Sequence, residues 1–275
     1  MAARRHVLPG LGLGLGITLT YMALLILIPL STIPIKTATM GWDRFLEVVT
    51  SPRALAAYRL SFGAAFAAAA LNAVFGLVVA WVLERYSFPG RRLLDGLVDL
   101  PFALPTAVAG IALTTLYSGS GWVGRFLEPA GVKVAYTGLG VVVALTFVGL
   151  PFVVRSVQPV LASLGGDLEA AAASLGANRW TIFRRVLLPR LVPAMLAGCT
   201  LAFARGLGEY GSVIFIAGNL PLKTEIVPLL IVIRLEEFDY PAATAIALVF
   251  LLMSFAALLA INLVSWRRSR AIGRA

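Results

Sequence analysis

Long apolar runs alternate with short polar stretches along most of the chain. An α-helix needs about 20 apolar residues to cross the hydrocarbon core of a bilayer. Six runs meet that length, at about residues 7–35, 60–83, 97–117, 138–157, 191–217 and 241–264. The pattern therefore predicts an all-α polytopic membrane protein with six transmembrane helices, built as a single membrane domain over residues 1–275.

The first apolar run follows Arg4 and Arg5 and could be either a cleaved signal peptide or a retained helix. Its apolar length exceeds the short core of a signal peptide, and no small-x-small cleavage site is evident. We therefore interpret it as a retained first span. Its closely spaced glycines favour close packing against another helix; they are Gly10, Gly12, Gly14 and Gly16.

Prolines interrupt the third apolar run at Pro101 and Pro105. A proline removes a backbone donor and disrupts a helix. Within a membrane such a break survives only where protein or a water-filled cavity satisfies the freed carbonyl groups. The third span is therefore predicted to be broken and to face an internal pathway.

The composition excludes a water-soluble globular domain of this length. Hydrophobic residues make up 60% of the chain and charged residues only 13%, and the mean hydropathy is +0.92. Those values lie outside the usage of soluble domains. Cys199 and His6 are each the only residue of their kind, so neither a disulfide framework nor a His/Cys metal site can be built within the chain.

The net charge of +10 would suggest a nucleic-acid partner in a soluble protein. In a membrane protein, basic residues gather at the cytoplasmic ends of the spans and meet anionic lipid. Fourteen of the 23 Lys and Arg residues fall on one side of the six-span topology and eight on the other. The more basic side, which holds both termini, is predicted to be cytoplasmic, with membrane lipid and no nucleic acid as a partner.

A polar-to-amphipathic interval at residues 167–189 lies between the fourth and fifth spans, on the predicted cytoplasmic side. Its Ala-rich first half opens with acids, which favour a helix N-terminus, and Gly176 follows as a natural C-terminal cap. Asn178 is predicted to cap a second short helix, and Pro189 to end it. On these features alone, a mere surface connector between membrane spans is the favoured interpretation.

This interval resembles the EAA loop of the permeases of ABC importers. Leu-Gly-Ala at 175–177 and Leu-Pro at 188–189 match that motif in spacing. Relative to Gly176, the glutamate of the motif belongs at Ala170, whereas the acid here is Glu169. The resemblance implies a cytoplasmic coupling helix that docks on an ATP-hydrolysing subunit. It implies coupling roles for Glu169, Ala171, Ala172, Leu175, Gly176, Ala177, Leu188 and Pro189.

The segments 206–219, 225–230 and 239–247 resemble the permease subunits of bacterial sulfate/thiosulfate importers, and the likeness covers nearly the whole chain. It implies a type I ABC transmembrane core at about 58–265 in a bacterial plasma (inner) membrane. Relatives that carry molybdate or tungstate share the Gly-Glu-aromatic-Gly core, and they remain the alternative.

The same resemblance implies three kinds of protein partner: a dimer of ATP-binding subunits, a second homologous permease, and a periplasmic or lipid-anchored sulfate-binding protein. No Walker A sequence occurs in the chain, so ATP and Mg²⁺ are expected on the ATPase, and no cofactor is expected here. No set of nucleophile, base and acid suggests an enzyme acting alone, so we expect a transporter subunit.

Two other classes of function stay open on the residues alone. A secondary transporter would carry ion-coupling acids within its spans and would need no coupling loop, and only Glu209 fits such an acid. A structural or channel-like membrane subunit is the other class. The Gly-x-Gly-x-x-Gly pattern at 206–211 matches a dinucleotide fingerprint but lacks the required βαβ unit, so we attribute it to helix packing.

Arg205 and Glu209 are the charges placed deepest in the predicted spans. Four residues apart on a helix, they would share a face and could form an ion pair. Arg205 could instead be a sulfate ligand, although an arginine already paired has little charge left for a dianion. We favour a pair that holds the fifth helix in register or closes a gate. The pathway or gate candidates are Arg205, Glu209, Tyr210 and Asn219.

Overall fold

The computed structural model describes the backbone of residues 11–272 and the side chains of residues 11–263. Within that range the regular structure is entirely helical. Several residues named above, or counted among the basic residues of the inner side, lie outside the described residues or have side chains outside them. They are Arg4, Arg5, His6 and Gly10 at the N-terminus and the basic residues Arg267, Arg268, Arg270 and Arg274 near the C-terminus.

Thirteen helices follow one another along the described chain. Their bounds are α1 Leu11–Ala38, α2 Trp42–Val49, α3 Pro52–Arg85, α4 Arg91–Val98, α5 Leu100–Ala103, α6 Thr106–Tyr117, α7 Gly124–Leu127, α8 Gly138–Ser163, α9 Asp167–Ser174, α10 Arg179–Leu207, α11 Gly211–Ile216, α12 Val227–Glu236 and α13 Tyr240–Ile272.

Among the described residues, five of these helices are long and apolar enough to cross a membrane: α1, α3, α8, α10 and α13. The third predicted span is divided, as its prolines indicated, into the ends of α4, the short α5 and the apolar α6. At 1.5 Å per residue, α6 reaches about 18 Å, which is less than the roughly 30 Å of a hydrocarbon core. The count of six spans therefore stays a prediction.

The prediction that Pro189 ends a helix is wrong, because α10 runs through it to Leu207. The turn before the proline is a π-helix in which Leu188 N–H donates to Phe183 O, five residues back. A proline has no N–H to give and its ring crowds the carbonyl of an ordinary α-turn. The wider π-turn accommodates it without ending the helix. The same device precedes Pro29 in α1.

Small residues allow α3, α8 and α10 to pack closely at the centre of the bundle. A Cβ added to Gly76 of α3 would lie 2.8 Å from Val153 Cβ of α8, and one added to Gly198 of α10 would lie 2.7 Å from Val153 Cα. In a membrane, such small residues allow the backbone contact that drives helix association. By contrast, a Cβ added to Gly12 or Gly16 of α1 would meet no atom of another described element within 4 Å, so their packing role stays a prediction.

Ion pairs connect loops that the predicted topology placed on the same side of the membrane. Arg53 binds Glu225 through two hydrogen bonds of 2.7 Å, and both residues were assigned to the outer side. Arg85 and Glu169, both assigned to the inner side, pair at 2.7 Å. The structure therefore agrees with this grouping of loops, while the side that faces the cytoplasm stays a prediction.

Candidate functional site

The predicted stop of the first loop helix at Gly176 is confirmed. Gly176 has a φ of +85°, in the left-handed region, and follows Leu175, the C-cap residue of α9. Its N–H donates to Ala173 O at 2.9 Å, and the N–H of Ala177 donates to Ala172 O at 3.1 Å. These two bonds form a Schellman motif. A Cβ here would meet no atom within 4 Å, so the backbone conformation alone requires glycine.

The predicted cap of the second loop helix is also confirmed. Asn178 has extended backbone angles, and its Oδ1 accepts a hydrogen bond of 2.8 Å from Thr181 N–H. This satisfies one of the unpaired N–H groups at the start of α10. Only residues 175–178 separate α9 from α10, so the two helices are fixed closely to one another.

The loop turns large apolar side chains to its outer surface. Leu175 is 89% exposed and Trp180 is 66% exposed. The Trp180 ring stacks on Phe183 at 5.7 Å between centroids, and Phe183 meets the edge of Trp81 of α3. An apolar surface of this kind on a membrane-protein loop is typical of a protein interaction site.

The candidate coupling residues divide into two groups by position. Ala171, Leu175 and Gly176 are exposed on the loop, and Ala172 and Ala177 are half-buried beside them. Leu188 and Pro189 lie within α10, half-buried against the bundle. The structure therefore places the first group where a partner could dock and the second where α10 leaves the loop.

Glu169 points back toward the membrane bundle. Its Oε1 lies 2.7 Å from Nη2 of Arg85, the last residue of α3. This is an ion pair by distance, although its angle is not that of a hydrogen bond. Arg85 Nη1 also reaches Gly165 O at 3.4 Å, and its guanidinium lies 5.6 Å from the Trp81 ring centroid. Sequence reasoning missed this pair because nothing local connects two residues so far apart in the chain.

Arg155 of α8 holds the start of the broken third span. Its Nε and Nη2 donate to the two carboxylate oxygens of Asp99 at 2.9 and 2.6 Å, and its Nη1 donates to Asp95 Oδ1 at 2.6 Å. Gln158 Nε2 donates to the same Asp95 oxygen at 3.1 Å. Hydrogen bonds from Gln158 and Arg155 hold the pKa of Asp95 below its usual value. Sequence reasoning had treated Arg155 only as one of the basic residues of the inner side.

The predicted ion pair between Arg205 and Glu209 is confirmed, with 2.7 Å between Nη1 and Oε2. The two residues do not share a helix, however, because α10 ends at Leu207 and Glu209 lies in the break before α11. The other carboxylate oxygen of Glu209, Oε1, accepts hydrogen bonds from Ser212 N–H at 3.0 Å and from Ser212 Oγ at 2.9 Å. The Glu209 side chain is 1% exposed and that of Arg205 38%.

The other two pathway candidates flank α11. Tyr210 directly precedes it and is half-buried. Asn219 follows it with a φ of +53°, and its Nδ2 donates to Ile214 O at 2.8 Å. The four candidates therefore surround the two ends of α11 rather than forming one cluster, and Asn219 serves the end of that helix.

The breaks in the third and fifth predicted spans lie against each other through glycines. A Cβ on Gly110 of α6 would lie 2.8 Å from Ser212 Cα of α11. A Cβ on Gly211 would overlap Thr106 Oγ1. The start of α6 and the start of α11 are thus in close contact, and Glu209 lies just before α11.

Comparison with known proteins identifies relatives over nearly the full chain. Residues 72–270 match the family model described as binding-protein-dependent transport system inner membrane component. The chain is 52% identical over 268 residues to the sulfate transport system permease protein CysT of Escherichia coli (strain K12). This alignment covers 98% of this chain and 97% of that protein. It is 48% identical over 245 residues to the protein of the same name from Synechocystis sp., covering 89% and 86%.

Among solved structures, the fold is similar to a chain from the crystal structure of a bacterial ABC transporter involved in the import of the acidic polysaccharide alginate. The TM-score is 0.74, and the match covers 94% of this chain and 95% of that chain. At 19% sequence identity, this likeness shows the fold alone.

Proposed function

Because the chain belongs to the family of binding-protein-dependent transport system inner membrane components, we propose that it is the permease subunit of an ATP-driven importer of sulfate. The observation that carries the proposal is the 52% identity, over 268 residues, to a protein named as a sulfate transport system permease. We propose thiosulfate as a second substrate, since the importers whose permeases this sequence resembles carry both anions.

The chain is a multi-pass membrane protein of an inner-membrane permease family, and that family implies ATPase and binding-protein partners. In this proposal the specific partners are a dimer of ATP-binding subunits, a second homologous permease and a sulfate-binding protein outside the membrane. ATP and Mg²⁺ are held by the ATPase. The excess of basic residues supports placing both termini and the α9 loop in the cytoplasm.

The α9 loop is proposed to transmit the motion of the ATPase to the bundle. Its exposed Leu175 and Trp180 supply the apolar surface that a docking groove would cover. The loop joins the bundle covalently through α8 and α10, and the pair of Glu169 with Arg85 adds a connection to α3. A displacement of the loop therefore acts on the three helices that form the centre of the bundle.

The pair of Arg205 and Glu209 is proposed to act as a gate or register element rather than as a sulfate ligand. The Glu209 carboxylate already neutralises the arginine at 2.7 Å, so the pair offers little net attraction to a dianion. A permease that receives its substrate from a binding protein needs only a weak site of its own. The contact between α11 and α6 gives a route by which movement of the broken third span reaches this pair.

The test is uptake of radiolabelled sulfate in a bacterial strain that lacks its own importer and expresses this chain with its ATPase, second permease and binding protein. We expect uptake that depends on ATP hydrolysis and that unlabelled sulfate or thiosulfate suppresses. Uptake of molybdate without sulfate would overturn the substrate and leave the permease assignment standing. Uptake that persists without the ATPase would overturn the permease assignment itself.

A further inference from the structure

The helix α4 is amphipathic in an unusual sense, because its polar side faces the protein. Asp95, with Asp99 directly after the helix, is bound by Arg155 of α8. The opposite side carries Leu93, which is 69% exposed, and Leu97, which is 47% exposed. A leucine surface turned outward, backed by ion pairs turned inward, fits a helix that lies at a membrane surface with its apolar side in lipid.

Two arginines stand at the beginning of this helix. Arg91 and Arg92 line an open cavity of about 330 Å³ together with Ser87, Phe88 and Gly90. Arg91 forms a loose pair with Glu84 at 3.7 Å and also interacts electrostatically with Asp95, one turn along α4. Arg92 is exposed and forms no ion pair among the described residues. The cavity is therefore cationic, and the N-terminus of α4 adds its own partial positive charge.

We propose that this cavity and the leucine side of α4 together bind one anionic phospholipid of the adjacent leaflet. Its phosphate and headgroup contact Arg91, Arg92 and the Ser87 hydroxyl, and its acyl chains cover Leu93 and Leu97. We refer to these five residues as the α4 lipid site. The site is distinct from the α9 loop and from the Arg205 pair, and it does not depend on the identity of the transported anion.

Charge complementarity and the adjoining apolar surface favour a lipid over a free anion. Inorganic phosphate or sulfate could occupy the arginines, but it would leave the exposed leucines uncovered. The site also lies at the end of the bundle where α3 ends at Arg85, which is the level at which headgroups would meet the protein. A phospholipid satisfies both halves of the site at once.

A lipid bound at the α4 lipid site would stabilise the position of the start of the broken third span. The residues that follow the arginines in α4 include Asp95, which Arg155 fixes to α8, and α4 leads directly into α5 and α6. An occupied site would therefore hold the cytoplasmic approach to α6 in place without touching the transported anion.

The test uses the assembled transporter purified in a neutral detergent. Native mass spectrometry and thermal stability are measured with phosphatidylglycerol and with zwitterionic phosphatidylethanolamine. We expect preferential binding and stabilisation by phosphatidylglycerol, and a preference lower by about fivefold for each of Arg91→Gln and Arg92→Gln. Leu93→Ser with Leu97→Ser should weaken binding of both lipids, and size-exclusion profiles verify that each variant assembles.

The matched control is the pair Arg184→Gln and Arg185→Gln, which removes two exposed arginines on the same predicted side. An equal loss of preference in this control would show a general surface potential rather than a site. Inorganic phosphate and sulfate, added at constant ionic strength, form the second arm. If either ion stabilises the complex as the lipid does, or displaces the lipid, the site is a free-anion site and the proposal is wrong. A wild-type complex without preference for phosphatidylglycerol would also overturn it.

Discussion

Arg85, which ends α3, is ion-paired with Glu169 in the first turn of α9, with 2.7 Å between Nη2 and Oε1. The acid that stands one residue away from its position in the EAA motif thus has a partner within its own chain. This relationship assigns Glu169 to holding the loop against the bundle. It leaves the exposed residues of α9 for the proposed contact with an ATPase subunit.

We expect Arg85→Gln or Glu169→Gln to lower the amount of sulfate carried per ATP hydrolysed. The Arg85 and Glu169 side chains are 21% and 32% exposed, so loss of the pair should cost about 1 kcal/mol, and assembly should persist. The charge exchange Arg85→Glu with Glu169→Arg should restore part of the ratio. The measurement is uptake and ATP hydrolysis in the same proteoliposomes, with Glu84→Gln as the neighbouring control. Unchanged ratios in both single variants would remove the pair from the coupling mechanism.

Gly176→Val should abolish coupled transport while the complex still inserts. The left-handed conformation costs an L-residue roughly 1–2 kcal/mol, and the open space around Gly176 means that no steric overlap adds to it. Gly176→Asn is the matched control, because asparagine tolerates this conformation. We expect the asparagine variant to transport sulfate at close to the normal rate. Normal transport by the valine variant would show that the stop at Gly176 is not part of the coupling element.

Arg205→Ala should damage the transporter more than Arg205→Ala combined with Glu209→Gln. The single change leaves a buried carboxylate without its cation, which is strongly destabilising, whereas the double change removes both charges. Glutamine retains an acceptor for Ser212, so α11 keeps its hydrogen bonds. Complex yield and sulfate uptake are the measurements. The single variant Glu209→Gln is measured alongside them. If the double variant loses as much yield and uptake as the two single variants together, the residues do not act as a unit and Arg205 becomes a ligand candidate.

Single cysteines at Arg91 and Ser174 should react with an impermeant thiol reagent from the cytoplasmic side. Cysteines at Lys133 and Lys223 should react from the opposite side. The native Cys199 is first replaced by alanine, since it is half-buried rather than fully shielded. Labelling of intact cells and of inverted vesicles distinguishes the two sides. A common side for all four positions would end the six-span topology.

Arg155→Lys should lower the thermal stability of the transporter, because lysine cannot form the forked contact with Asp99 that holds the start of the broken third span.

The pKa of Asp95 is lowered in the folded protein. The contribution of Asp95 to stability is therefore present above its unfolded pKa of about 3.9 and is lost as pH falls through the folded value. The thermal stability difference between wild type and Asp95→Asn should therefore stay constant from pH 5 to 8. A difference that varied across that range would contradict this assignment.

The features that local sequence determines were predictable. The left-handed stop at Gly176 and the cap at Asn178 depend on a few consecutive residues, and the long apolar runs depend on the thickness of a bilayer. Both the loop and the main spans could therefore be placed without a structure. The broken third span was predictable for the same reason, since Pro101 and Pro105 act on their own helix.

The features that tertiary contact determines were not predictable. Arg85 meets Glu169 only because the end of α3 and the start of α9 lie at the same level of the bundle. The end of α10 at Leu207 places Glu209 outside the helix, although the spacing to Arg205 suits a continuous one. The passage of α10 through Pro189 depends on a π-turn, and a proline in the sequence does not reveal whether the preceding turn has widened.

The contact between α6 and α11 bears on how this membrane subunit could acquire a different substrate. Gly110 lies against the backbone of Ser212 and Gly211 lies against the side chain of Thr106, with no space for a side chain on either glycine. Selectivity is usually tuned by exchanging side chains of different size, and neither glycine at this contact can be exchanged for a larger residue. A laboratory that selects variants for a larger oxyanion should therefore recover changes beside this contact, such as on Tyr210, while both glycines survive every round.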